Sequence, residues 1–297
     1  MAKLMTKQGN QSDLKTKMTG WLEGQGYPLE MQVAQSFQSK YFTTLQSYFY
    51  TDPESKNIRE TDVIAYRDIA AINMVVRLSI VVECKNAKDK PWVLFSSGQD
   101  HLPEQTRVIQ HASSLAGAKA LQLLMKYPSI QDSPLFRTGK NSGYSLIQAF
   151  GAENNSDLAY KSLMSVSTAT NSMALFSDYY NMDENKVTHA NPQLAHILFP
   201  VVVIGGSLWK CCMNKKSSAL DIAQINSGTL IWKNPLLRHP HTIVHIVTEA
   251  YLDSFVNDVN KTLSDIQTLV EGHAKGDFSA IPEIYKPRPR RTSHIGI

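Results

Sequence analysis

The chain has 297 residues, 42% of them hydrophobic, and a formal net charge of +4. That length and apolar content can build one large core or two modest ones and exclude a fibrous or natively disordered chain, while the mild positive balance permits a nucleic-acid partner without requiring one. The three cysteines, Cys84, Cys211 and Cys212, are an odd number with two adjacent, which excludes a disulfide framework and a CxxC metal knuckle and points to a reducing compartment.

Residues 1–13 are polar, lack the apolar core of a signal peptide and are expected to be loosely ordered. Leu14, Met18, Trp21 and Leu22 then recur at helical spacing, GQGYP interrupts, and Leu29, Val33, Ala34 and Phe37 form a second helical stripe. LQSYFYT reads as a strand, DPESKN as a turn, RETDVIAY as a second strand and VVRLSIVVECK as a third. Helical spacing returns over residues 104–182, with Val108, Ile109, Ala112 and Leu115 in one helix and Leu163, Val166, Ala169 and Met173 in another. Strand character resumes at FPVVVIG, TLIW and HTIVHIV, and Leu252, Phe255, Val256, Val259 and Leu263 mark a final helix. The fold class is therefore α/β. A single domain over residues 14–285 carries a largely helical insertion at about residues 100–196, and a basic tail follows at 286–297. The longest apolar run, ILFPVVVIGG, is too short to span a bilayer, so a cytoplasmic protein away from membranes is expected.

One strand carries an anomaly. In LSIVVECKN, a strand places Glu83 and Lys85 side by side on one face and turns Val82 and Cys84 to the other. An acidic residue two before a lysine also occurs at Asp13/Lys15, Glu54/Lys56 and Glu184/Lys186, but those sit in polar or turn-like surroundings and read as solvated charges. The preceding strand contributes Asp62, a second carboxylate among apolar neighbours. Two carboxylates brought together repel and are costly to desolvate unless a hard divalent cation lies between them. Magnesium takes oxygen ligands, often one or two carboxylates, and a lysine nearby can orient a water or stabilise charge on a phosphoryl oxygen. Glu30 shares the stripe of Val33, Ala34 and Phe37, although a first-turn acid behind Pro28 also complements the helix dipole.

This combination, a helical Glu30, a hairpin carrying Asp62 and VVECK carrying Glu83 and Lys85, resembles the PD-(D/E)xK or restriction-endonuclease-like nuclease superfamily, most closely over residues 28–86. The resemblance implies a mixed central sheet flanked by helices. It also implies a Mg²⁺ site, with Mn²⁺ as a substitute, formed by Asp62, Glu83 and the backbone carbonyl of Cys84. Lys85 would activate water, Glu30 would be an auxiliary acid, and phosphodiester hydrolysis would act on DNA ahead of RNA. Thr61 stands where the family pattern has proline. The alternative is a catalytically silent nucleic-acid-binding or assembly protein of the same fold. A homo-oligomeric contact, or a protein partner on the helical insertion, stays open.

Weaker candidates remain. RHPHTIVH offers His239, His241 and His245, of which the last two share a strand face, but no fourth zinc ligand accompanies them and they are read as structural. VIGGSLW reads as a turn between strands, since no Lys-Ser or Lys-Thr of a phosphate-binding loop follows. The KPRPRR run, with Lys286, Arg288, Arg290 and Arg291, could contact phosphates or simply aid solubility.

Overall fold

The computed structural model describes residues 2–71, 74–86, 90–97, 111–137, 141–150, 158–183, 185, 187–188, 192–214, 217–239 and 241–274, with backbone alone at 2–12 and 273–274. The tail at 286–297, Glu184/Lys186 and Val108/Ile109 lie outside the described residues.

Two helices open the chain, α1 (Ala2–Glu23) and α2 (Tyr27–Gln38). The first runs through residues 2–13, so the helix begins earlier than the Leu14 stripe suggests. Proline in the first turn of α2 costs nothing there, because the N–H it lacks would have no helical partner. A meander follows: β1 (Thr43–Thr51), β2 (Ile58–Ala70) and β3 (Met74–Lys85), each antiparallel to the one before. Next come β4 (Trp92–Phe95), β5 (Ala112–Ser113), α3 (Leu115–Leu124), α4 (Pro128–Gln131), β6 (Ser142–Gly143), β7 (Ser145–Gln148) and the long α5 (Leu158–Met182). The chain then returns through β8 (Gln193–Ile204), β9 (Leu208–Met213), β10 (Leu220–Ile225), β11 (Ser227–Lys233), β12 (His241–Thr248) and α6 (Leu252–Ala274).

Among the described residues the main sheet is mixed, in the order β1-β2-β3-β8-β12-β11-β6, with β5 also pairing β8. Strands β3 and β8 are its axis. They pair in parallel from Met74↔Gln193 to Lys85↔Ile204, and both are buried along nearly their whole length, as strands with two covered faces must be. On one face lie Leu29, Val33 and Phe37 of α2, Leu121 and Leu124 of α3, and Phe255, Val259 and Leu263 of α6. On the other lie Ala159, Leu163, Val166 and Ala169 of α5. Pro200 is tolerated inside β8 because on that strand's second side β5 pairs at Ile197 and Leu198 and β12 takes over at Val201, so proline falls where the ladder is interrupted.

Several expectations change. The span expected as a largely helical insertion carries α3, α4 and α5, and its short described strands join both sheets: β5 pairs β8, β6 pairs β11, β7 pairs β4, and the end of the span is β8 itself. Ala112, expected in a helix with Leu115, is in a strand, and the helix starts only where the Ser114 hydroxyl accepts the Gly117 N–H as N-cap. The Gly205–Gly206 turn does not close a hairpin; it carries the chain from β8 into a second sheet, β10-β9-β4-β7, absent from the sequence reading. β4 and β7 are too short for a period to show, and β10 is almost wholly exposed, so no apolar alternation announces them.

Helix α3 lies directly on β8. A methyl group at Gly117 would stand 2.1 Å from the His196 carbonyl oxygen, whereas one at Gly20 in α1 would meet nothing within 4 Å. Gly117→Ala is therefore expected to destabilise the fold by about 3 kcal/mol through forced backbone separation, and Gly20→Ala to stabilise it by roughly 0.5–1 kcal/mol through helix propensity. Urea unfolding of both variants checks this, and a Gly117→Ala protein as stable as the parent contradicts the packing.

Candidate active site

The register that pairs Val63 with Val82 brings Asp62 level with Glu83 on the adjacent strand. Asp62 then reaches across: its Oδ2 accepts the Cys84 N–H at 2.6 Å. Lys85 Nζ donates to Glu83 Oε1 at 2.5 Å, and Ser165 Oγ of α5 donates to Glu83 Oε2 at 2.9 Å. Behind Ser165, the Tyr50 hydroxyl donates to its carbonyl at 3.4 Å. The Thr61 hydroxyl donates to the Val82 carbonyl at 3.4 Å, a cross-strand contact. At the end of β3 the Asn86 amide donates to the Gln25 carbonyl at 3.1 Å, which ties the start of α2, and so Glu30, to this end of the sheet.

Sequence spacing alone places Glu83 and Lys85 opposite Val82 and Cys84, and the packing agrees. Val82 and Cys84 are buried in the core against α2 and α6, while Glu83 meets α5. Asp62, Glu83 and Lys85 are brought together; Glu30 stands further off. Its Oε1 lies over Gly26, and it is linked to the others by charge rather than by a direct bond.

The electrostatics are those of crowded acids. Burial raises the Glu83 pKa first and the Asp62 charge raises it further, against the lowering pull of Lys85 and Ser165. Burial likewise raises Asp62, with Glu60 adding to it, against the Cys84 N–H and Lys85. Glu30 is raised by burial and then by Asp62, Glu60 and Glu83. Burial opposes the charge on Lys85, but Glu83 and Asp62 outweigh it and hold the lysine above its usual value, so the ammonium form persists. The buried Cys84 thiol is pushed well up and stays protonated, which leaves only its backbone for site chemistry.

Two participants escaped the sequence reading. Glu60 lies two residues before Asp62 and acts on both Asp62 and Glu30; the i, i+2 rule that singled out Glu83 and Lys85 applies to it equally. Ser165 has no local signal, because nothing in a helix sequence says which strand its hydroxyl will touch. The remaining acid–lysine pairs behave as surface charges where described: Asp13 pairs with Lys17 in solvent, and Lys56 donates to the Pro53 carbonyl within its turn. The histidines are dispersed. His245 is buried between Phe199 and Phe255 with its pKa lowered to about 4 by burial, the His239 ring contacts the Ser113 backbone, and His241 is exposed.

Comparison with protein-family models, with curated proteins and with solved structures gives no match to this chain. The reading of the site therefore rests on its own chemistry. Asp62 and Glu83 share one ammonium, Lys85, while Glu30 and Glu60 add negative charge nearby, so acids outnumber the cation. The described residues contain no group of three or more His, Cys, Asp or Glu side chains assembled to hold a metal. A cation here would rest on Asp62 and Glu83, supplemented by backbone, water or substrate oxygens.

A raised carboxylate pKa means that ionisation opposes folding. The penalty is nil below the unfolded Glu pKa of about 4.3, grows through the window up to the raised folded value and is complete above it. Glu83→Gln, which mimics the protonated acid, is therefore expected to leave the metal-free protein as stable as the parent or more so at pH 8, with the difference vanishing toward pH 4. Thermal melts in EDTA across that range measure it, and a variant that collapses at pH 8 would assign the charges to holding the fold.

Proposed function

We propose that the chain is a metal-dependent nuclease of the PD-(D/E)xK type that hydrolyses phosphodiester bonds in nucleic acid, with DNA as the expected substrate. The observation that carries this reading is the Asp62–Cys84 N–H–Glu83–Lys85 cluster at the carboxyl end of a buried strand, rich in oxygen donors and short of positive charge. The mixed sheet with helices on both faces is compatible with the restriction-endonuclease-like core.

In this reading Asp62 and Glu83 hold the cation, with the Cys84 carbonyl as the third protein oxygen. When bound, Mg²⁺ supplies Lewis-acid polarisation of the phosphate and lowers the pKa of a water. The protein's own groups set the geometry. Ser165 and Lys85 each engage one oxygen of Glu83, which fixes the carboxylate's orientation while leaving lone pairs on both oxygens. The Cys84 N–H does the same for Asp62. Because Lys85 is held protonated, it serves here as a donor to the attacking water or to a phosphoryl oxygen, stabilising the negative charge that builds as the phosphorus–oxygen bond breaks. Glu30 and Glu60 add negative potential that favours the cation without touching it.

Purified protein is expected to nick or degrade DNA with Mg²⁺ or Mn²⁺ and to stop in EDTA. Lys85→Met should lose roughly 100-fold or more of the cleavage rate while keeping the rise in melting temperature that Mg²⁺ produces; Glu83→Gln should lose both. Cleavage that continues undiminished in excess EDTA, or no cleavage of DNA or RNA under any divalent cation, overturns the assignment.

A further inference from the structure

Between β1 and α5 lies a groove of about 350 Å³ whose walls are Tyr48, Phe49 and Tyr50 on the strand and Phe176 on the helix, with Arg77 and Tyr66 at its side. Phe49 and Phe176 are 63% and 68% exposed, and Tyr48 is 37% exposed, so large aromatic faces look into solvent at a place where burial against the neighbouring element would have been available. The walls are tied together: Ser172 Oγ of α5 donates to the Thr51 carbonyl at 3.0 Å, and the Tyr50 hydroxyl donates to the Ser165 carbonyl. The groove therefore cannot simply close on itself. It adjoins the acidic cluster: the Ser165 whose carbonyl receives the Tyr50 hydroxyl is the residue whose own hydroxyl holds Glu83.

We propose that this groove, beside the acidic cluster, binds single-stranded nucleic acid by stacking unpaired bases on Phe49, Phe176 and Tyr48; the inference rests on the nuclease reading and names its substrate class. Aromatic platforms beside a phosphate-binding path are how proteins hold single strands, whereas the bases of a duplex are already stacked on one another and present no free faces. Helix α5 also lies over Glu83 at hydrogen-bond distance, which restricts approach to the cluster from that face. A phosphate contact is at hand. Arg77 spends its Nε and one Nη2 hydrogen on Asp68 and stacks 4.3 Å above Tyr66, which leaves its Nη1 hydrogens for the backbone of a bound strand.

The floor of the groove indicates tolerance of sequence. Ser177 gives its one hydroxyl proton to the Met173 carbonyl, so the 2.8 Å contact to His196 Nδ1 requires the imidazole to donate. His196 Nε2 then accepts from Ser79 at 2.7 Å. Every donor of this buried relay is used internally, and none remains to read a base edge; recognition falls to stacking, which all bases satisfy.

The test is fluorescence anisotropy of the full chain in EDTA, at fixed ionic strength, with a labelled oligo-dT of about 12 nucleotides, within the usual single-strand site size, and with the corresponding duplex. The single strand is expected to bind at least tenfold more tightly than the duplex. Phe49→Ala combined with Phe176→Ala should weaken oligo-dT binding by roughly 10- to 100-fold, from the loss of stacking, while the Mg²⁺-dependent melting shift is retained, showing that fold and metal site survive. Equal binding of duplex and single strand, or a double variant that binds oligo-dT like the parent, overturns the proposal; the latter is also the outcome if the aromatic faces dock a protein. Cleavage with an unaffected double variant would sink the groove alone, and groove-dependent binding without cleavage under any cation would sink the nuclease reading alone.

Discussion

Strands β3 and β8 run side by side in parallel for twelve residues with helices over both faces, and a strand so enclosed has no water to satisfy its backbone or its side chains. Its peptide groups must pair with neighbours along the whole length and its side chains must be apolar or, like Ser79 and His196, hydrogen-bonded to one another, which is why LSIVV reads as it does. The acidic cluster sits at the carboxyl end of β3. There the next strand pairing stops at Lys85↔Ile204 and the Gly205–Gly206 turn leads away. The position of Glu83 and Lys85 is thus a consequence of the pairing that holds the sheet together.

Placing acids there has an electrostatic consequence. Burial pushes Asp62, Glu83 and Glu30 toward their neutral forms, Asp62 adds to this at Glu83 and Glu30, Glu60 adds to it at Asp62, and Lys85 offsets only part of it. The cluster is held by contacts to rigid elements instead: a strand N–H fixes Asp62, and a helix hydroxyl and a lysine fix the two oxygens of Glu83. An arrangement of this kind is poorly suited to stabilising a fold, since the carboxylates keep the mutual repulsion that a nearby positive charge would relieve.

Helix α5 connects this cluster to the rest of the molecule. One stretch of it covers Val81 and Val202 through Leu163 and Val166, Ser165 touches Glu83, Ser172 holds the end of β1, and Ser177 closes the relay with His196 and Ser79. His196 is kept neutral by burial, its pKa lowered to about 3, so the relay does not change its protonation in the physiological range. The hydroxyl-rich sequence of α5, weak as a helix former, makes sense as a set of short donors spaced to meet a sheet.

Much of this is legible in the sequence. Periodicity alone located α2, the meander β1–β3, the second half of the main sheet and α6, because each is long and has one face or both faces buried, and the distinction between 2.0 and 3.6 residues per repeat survives in the sequence. Asp62, Glu83 and Lys85 were legible because charge inside an apolar strand has no cheap structural explanation. Tertiary structure alone decided the second sheet, whose strands are short or exposed and carry no period, and the pairing of β5, β6 and β7 with strands of the two sheets. It alone decided that Ser165 meets Glu83 across 82 positions of chain. Local spacing determines which face a residue occupies; which other element covers that face is settled only when the whole core is packed.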